Sequence, residues 1–248
     1  MNARLPNRLG KSPLVDAIFE IRFDGEPLLS SILTGVLYST LGCTKVEKLP
    51  HADLPDFVRQ SDPNLKYLIL SRLTWGNYYI GIGDNVLTLS PMQPYPGWGK
   101  FREKINSVLH QLNNFSAVHK ADRFSFKYID ILEDKIHEDI FETLNIGLSL
   151  LERNFNSKTL QVRVEIPQDE SIHVVQVTGH ALATLPDGST RSGIMVDIDS
   201  IMQISKKTKD ESFEAISTLL DTLHQENKEL FFKLLTDEGF KRMEPVYD

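Results

Sequence analysis

The sequence predicts an α+β fold: a curved antiparallel sheet with helices packed on one face, built from two successive β-α-β(3-4)-α repeats. Three observations predict it. Strands show as two-residue alternation of apolar and polar side chains, and helices as stripes of period 3.6. The order strand, helix, several strands, helix occurs twice. No strand–helix–strand series calls for a parallel sheet. The expected organisation is a flexible tail over residues 1–12, a first half over 13–118 and a second half over 119–248.

The first half opens on PLVDAIFEIRF at 13–23. Val15, Ala17, Phe19, Ile21 and Phe23 line one face, and Asp16, Glu20 and Arg22 the other. A helix is expected to follow, with Leu28, Leu29, Ile32, Leu33, Val36, Leu37 and Leu41 inward. Pro27 suits its first turn and Gly42 its exit. Thr44 to Leu49 reads as a short strand, and Pro50, Pro55 and Pro63 mark a loop over 50–64. A meander of three strands is then expected: Tyr67 to Leu73, Tyr78 to Ile82 and Val86 to Ser90. A helix from Trp98 to Asn113 closes the half.

The second half opens on RFSFKYIDIL at 123–132, with Phe124, Phe126, Tyr128, Asp130 and Leu132 on one face. A helix is expected over 137–152. Leu160, Val162, Val164 and Ile166 then alternate with Gln161, Arg163 and Glu165, as in a half-exposed strand. Ile172 to Leu185 and Gly193 to Ile204 should pair across a turn at Pro186-Asp187-Gly188. Thr208 and Glu211 have the spacing of a capping box. A long helix over 212–235 follows, with Gly239 as its stop.

The net charge of −7 at pH 7 disfavours a general nucleic-acid binder, because a phosphate backbone is repelled. Two short basic runs, Lys206-Lys207 with Lys209 and Arg4, Arg8 with Lys11, read as solvated segments. One cysteine, Cys43, forms no internal bridge, which suits a reducing compartment. The N-terminus lacks the apolar run of a secretory signal, and no stretch has the ~20 apolar residues of a spanning helix. A cytoplasmic protein without a membrane role is expected.

Four stretches resemble a sporadically distributed bacterial family. They are PLVDAIFEIRF, the Gly97-Trp98 helix start reaching Phe101, RFSFKYIDIL, and the closing LLDTLHQENKELFFKLLTDEGF at 219–240. They frame nearly the whole chain after the tail. The resemblance implies a shared fold, a bacterial cytosolic setting and, from the family's patchy distribution, a link to defence-related or mobile genes. It implies no catalytic residues. The element order itself resembles the saddle of the TATA-binding-protein-like fold, whose sheet leaves one face open.

Candidate sites follow from these faces. Arg72, Arg123, Lys127 and Arg163 lie at strand positions that would give an open sheet face a basic floor. Trp75, Tyr78 and Trp98 are candidate aromatic anchors for a partner. Asp197 and Asp199, two apart on one strand, project from one face and are a candidate divalent-cation or acid–base pair. The seven histidines show no HxxxH spacing, and Gly81-Ile82-Gly83 precedes a strand, as a hairpin turn does. No cofactor is implied. The leading expectation is a non-enzymatic binding protein that engages a protein partner, with homo-oligomerisation also open. The alternatives are a small-ligand or nucleic-acid sensor on the open sheet face, and a metal-dependent hydrolase around Asp197 and Asp199.

Overall fold

The computed structural model describes residues 5–63, 65–133, 140–148, 159–185, 188–206 and 208–247. The fold is mixed α+β. Nine strands form one antiparallel sheet in the order β3-β4-β5-β6-β2-β7-β10-β9-β8. These are β2 (Leu14–Gly25), β3 (Lys45–Lys48), β4 (Ser71–Trp75), β5 (Tyr78–Ile82), β6 (Val86–Pro91), β7 (Val118–Glu133), β8 (Gln161–Gln168), β9 (Ser171–Thr184) and β10 (Thr190–Gln203). The helices are α1 (Leu29–Leu41), α2 (Asp56–Ser61), α3 (Trp98–Asn114), α4 (Ile140–Thr143), α5 (Lys209–Leu234) and α6 (Asp237–Arg242). A separate pair joins β1 (Arg8–Leu9) to β11 (Pro245–Val246). No helix among the described residues is long and apolar enough to cross a membrane.

The chain forms two compact units. One comprises residues 17–126 and 201–221. Its strands turn Phe19, Ile21, Leu73, Ile80, Ile82, Leu87 and Leu89 to one face, set by the registers Phe19↔Leu89, Ile80↔Leu89 and Leu73↔Ile80. Leu33 and Leu37 of α1 and Phe101, Ile105 and Leu112 of α3 are fully buried in the same unit. Phe19 packs against Phe124 and Phe126 with ring centroids 6.4 and 5.6 Å apart.

The other unit comprises residues 1–16, 127–200 and 222–248. Its core gathers Leu132, Ile140, Val175, Val177, Val196, Ile198 and Phe231. Residues 7–11, expected within a tail, run beside the C-terminus: Asn7 N–H donates to Val246 O at 3.0 Å and Lys11 N–H to Met243 O at 3.1 Å.

Several expectations are corrected. β4 begins at Ser71; Leu70 still bonds to both sides, its N–H to Ile82 O at 2.8 Å and its C=O to the Leu49 N–H at 2.9 Å, and Ile69 occupies the space beside Gly81 where a side chain would stand. The loop over 50–64 holds a 3-10 turn at Pro50–Asp53 and helix α2, with Arg59 as its buried polar anchor. Ile32 of α1 and its cap residue Leu28 are exposed, because the inward stripe runs through Leu29, Leu33 and Leu37. Of the helix expected over 137–152, α4 is helical. Residues 144–148 leave the helix because Leu144 bridges Leu235 and Asn145 N–H donates to Leu234 O at 2.7 Å. The remainder lies outside the described residues, as do Arg4, Lys207, Pro186 and Asp187. Gly239 is no stop. It sits inside α6, whose cap Thr236 accepts from the Gly239 N–H at 3.1 Å.

Candidate functional site

In the unit of residues 17–126 and 201–221, the face opposite Phe19 and Ile80 carries Arg72 and Arg123. Arg72 donates to Glu47 of the facing strand at 2.8 Å, and its guanidinium lies 4.6 Å from the Tyr79 ring centre. The same pairing holds the Glu47 carboxyl below its ordinary value, through the hydrogen bond and the adjacent positive charge. Arg123 donates to Glu20 at 3.2 Å, and Glu20 also accepts from Arg22 at 2.7 Å. Arg22 in turn covers the Tyr67 ring at 4.0 Å. Glu47 matches Arg72, while Arg22 and Arg123 share the one carboxylate of Glu20, so the charge of this face is only partly cancelled.

The aromatic candidates of this unit gather around Phe101. Tyr78 is buried and stacks on Phe101 at 6.4 Å, and Trp98 meets Phe101 edge-on at 6.4 Å and Phe126 at 5.3 Å. Trp98 Nε1–H donates to Asp221 at 2.8 Å. Trp75 lies 6.2 Å from Tyr78 and carries Lys104 Nζ over its face at 3.8 Å. Their apolar bodies serve the end of the core, and the Trp98 indole N–H is satisfied by Asp221.

In the other unit, Lys127 and Asp197 come together across β7 and β10 at 2.9 Å. Asp199 stands two residues along the same strand, with one carboxylate oxygen buried. No group of three or more His, Cys, Asp or Glu side chains suited to a metal occurs among the described residues. Arg163 pairs with Glu165 of its own strand at 2.8 Å, and both are exposed. Cys43 is buried, and burial pushes its thiol up, away from nucleophilic character.

A polar chain that composition did not reveal lies between β9, β10 and α5. Asn227 Nδ2–H donates to Ile198 O at 3.1 Å and to Ser200 Oγ at 2.8 Å. Ser200 Oγ is 2.7 Å from His173 Nδ1, and His173 Nε2 is 3.3 Å from Ser171 Oγ. Ser171 donates to Glu226 Oε2 at 2.8 Å. The Asn227 donor leaves the Ser200 hydroxyl proton for His173 Nδ1. With that arrangement the imidazole carries its proton on Nε2 and gives it to Ser171 Oγ, whose single proton has two acceptors in reach, Glu226 Oε2 at 2.8 Å and Gln168 O at 2.9 Å. The order is serine–histidine–serine–carboxylate: Ser171 stands between the imidazole and Glu226, which is 3.7 Å from His173 Nε2, so the direct histidine–carboxylate bond of a catalytic triad is not made. Ser200 is 0% and His173 1% exposed, so no substrate reaches either. Burial lowers the His173 pKa, outweighing the nearby Glu226 charge. The available signal was positional: His173 shares the β9 face of Val175 and Val177, where an unpaired imidazole would be costly.

A cleft of about 850 Å³ in the same unit is lined by Lys11, Glu133, Arg191, Glu238, Arg242 and Glu244 among others. Among these, Lys11 pairs with Glu244 at 2.7 Å, and Arg242 pairs with Glu238 one turn away on α6 at 3.3 Å. Arg191 donates to Ser12 O at 3.1 Å.

The outermost strand of this unit differs from its expectation. Only the start of β8 is half-buried. Val164 is 44% and Ile166 36% exposed, because an edge position leaves these side chains without the cover that Val175 and Val177 have. Among the described residues β8 has a strand neighbour, β9, on one side alone. Gly179 N–H donates to Leu160 O at 2.9 Å, and the register Gln161↔Thr178 through Gln168↔Ser171 continues from it. Even-numbered residues of β8 therefore exchange hydrogen bonds with β9. Odd-numbered ones turn their N–H and C=O groups outward. Pro167, which has no N–H, falls on the outward set, where a proline is tolerated. On β9, Ile172 and Leu182 are also exposed, Leu182 at 70%.

No protein-family model matches the chain, and no curated protein matches it.

Proposed function

We propose that the chain is a non-enzymatic binding protein that engages another protein along the β8 edge. The observation that carries this reading is the coincidence, on one strand, of outward backbone groups and exposed Val164 and Ile166. Open backbone groups give an incoming strand its hydrogen bonds, and alternate side chains give it selectivity. Edges of this kind are usually blunted, since they otherwise attract other chains. Arg163, Glu165 and Pro167 limit promiscuous pairing here and leave a short, specific strand to pair with.

The wider reading is a two-repeat saddle with a bacterial cytosolic role, in a defence or toxin-neutralising setting as the family resemblance implies. Its support is the sheet order. β2 and β7 are neighbours, each followed in the chain by a helix, then by four or three antiparallel strands, then by a long helix. A second reading, a small-ligand sensor, is favoured by the cleft bounded by Lys11, Arg191 and Arg242.

The test is a photo-crosslinking amino acid at Val164 in the tagged full chain, expressed in a bacterial cytosol, with Glu214 on α5 as the exposed control. A discrete protein adduct from 164 and none from 214 is expected. No adduct from 164, or the same adducts from both sites, would overturn the reading.

A further inference from the structure

We infer that the protein matched to the β8 edge is a second copy of this chain, with the two β8 strands antiparallel about a twofold axis through Val164. The inference rests on the edge reading above and names its occupant. The argument is one of register. Outward groups lie on odd residues, so a second strand must set odd residues opposite odd ones to form its hydrogen bonds. Few antiparallel self-pairings satisfy this.

An axis at residue 163 sets Arg163 against Arg163 of the second copy, and an axis at 165 sets Glu165 against Glu165. Like charges directly opposite are destabilising. An axis at 162 sets Arg163 against Gln161 and leaves Glu165 beyond the opposing strand. An axis at 164 sets Arg163 against Glu165 of the second copy, twice by symmetry, as hydrogen-bonded pairs. On the other face it sets Val164 against Val164 and Val162 against Ile166. The exposed apolar side chains of the strand are then covered by apolar side chains. Val164 falls at a non-hydrogen-bonded position, where opposed side chains approach most closely. Gln161 meets Pro167, whose missing N–H costs one bond at each end. The pairing is isologous and closes, so it stops at a dimer.

Arg163 and Glu165 are 2.8 Å apart within one copy and exposed to the same degree, so both remain available to a partner on the same face. The surface is thus self-complementary in charge, in apolar contact and in backbone hydrogen bonding, through one and the same register.

The test uses the purified full chain in sedimentation velocity across micromolar concentrations. Wild type is expected to be a dimer. Arg163→Glu presents two carboxylates on the edge and Glu165→Arg two guanidinium groups. Each variant alone is expected to weaken dimerisation at least tenfold. An equimolar mixture of the two restores unlike pairs at both positions, and a heterodimer is expected. Glu165→Pro removes an outward N–H without touching the β9 ladder. It should be monomeric with an unchanged circular dichroism spectrum, which separates lost pairing from lost folding.

A monomeric wild type, or dimers that persist in both charge variants, would overturn self-pairing. A monomeric wild type that still yields an adduct from Val164 to a different protein would refute the second copy and leave the binding edge standing. Absence of any adduct with a dimer intact in both charge variants would sink both.

Discussion

Asp84 caps helix α1 from across the fold: its Oδ1 accepts the Ser30 hydroxyl at 2.6 Å and the Ser30 N–H at 3.3 Å. The helix needs this, because Leu28 at the cap position has no acceptor and sits in left-handed backbone at φ 60°. The other carboxylate oxygen takes Arg59 at 3.2 Å, and Asp56 takes the same guanidinium. Arg59 is buried, so its charge depends on these two acids. Asp84→Ala removes a cap and one partner of a buried cation together. A loss of about 2–4 kcal/mol is expected in urea unfolding. Asp84→Asn keeps an acceptor for Ser30 and should lose less. Equal losses in the two variants would show that the cap contributes nothing.

The His173 chain makes a prediction about acid. Its folded pKa is lowered from 6.5 by burial. The unfolded chain therefore binds a proton before the folded chain does as pH falls. The contribution to stability is present above about pH 6.5 and is lost below it, by up to about 1.4 kcal/mol per pH unit. His173→Gln should flatten the slope of the unfolding midpoint between pH 7 and 5. An unchanged slope would remove His173 from the account. Nitrogen chemical shifts of labelled histidine should show the Nε2–H tautomer, and Asn227→Leu should abolish that preference.

Much of the fold was visible in the sequence wherever one face of an element is buried and the other wet. β2 and α3 announced themselves this way, and so did the Thr208–Glu211 capping box. In it, Thr208 N–H donates to Glu211 at 3.3 Å and Glu211 N–H to Thr208 Oγ1 at 3.4 Å. The pattern misled where tertiary place decides burial. Val164 and Ile166 have the alternation of a buried face but stand at a sheet edge. The candidate cations Arg72, Arg123, Lys127 and Arg163 were recognisable as face residues. Arg163 pairs within its own strand, but Glu47, Glu20 and Asp197, the carboxylate partners of the other three, come from neighbouring strands, a fact of register and not of local sequence. Arg59 and His173 were hidden for the same reason. A lone polar residue shows its role only beside the elements that satisfy it.

Gly239 illustrates that point as a prediction. Its proton-bearing α-carbon faces the Thr143 carbonyl oxygen so closely that an added Cβ would overlap it. The backbone of α4 and α6 would have to part, although Thr236 N–H holds Thr143 O at 3.0 Å. Gly239→Ala is expected to destabilise by about 1–3 kcal/mol in spite of alanine's better helix propensity. A more stable Gly239→Ala variant, read by thermal unfolding, would contradict this contact.

Asp130 sets the opposite slope to His173. It lies on the β7 face shared by Tyr128 and Leu132, and burial raises its carboxyl from 3.8 to about 8. At pH 7 the folded chain keeps this acid protonated, while the unfolded chain releases the proton. Between pH 3.8 and about 8 the folded state therefore holds one more proton than the unfolded state. The contribution is fully present below the unfolded pKa and declines as pH rises, by about 1.4 kcal/mol per pH unit, until it levels above the folded value. Asp130→Asn has nearly the same shape and no charge to gain. Its stability advantage over wild type should be small at pH 5, larger at pH 6.5 and largest at pH 8, read from urea midpoints. An advantage that stays constant with pH would mean that the carboxyl titrates alike in the folded and unfolded chain.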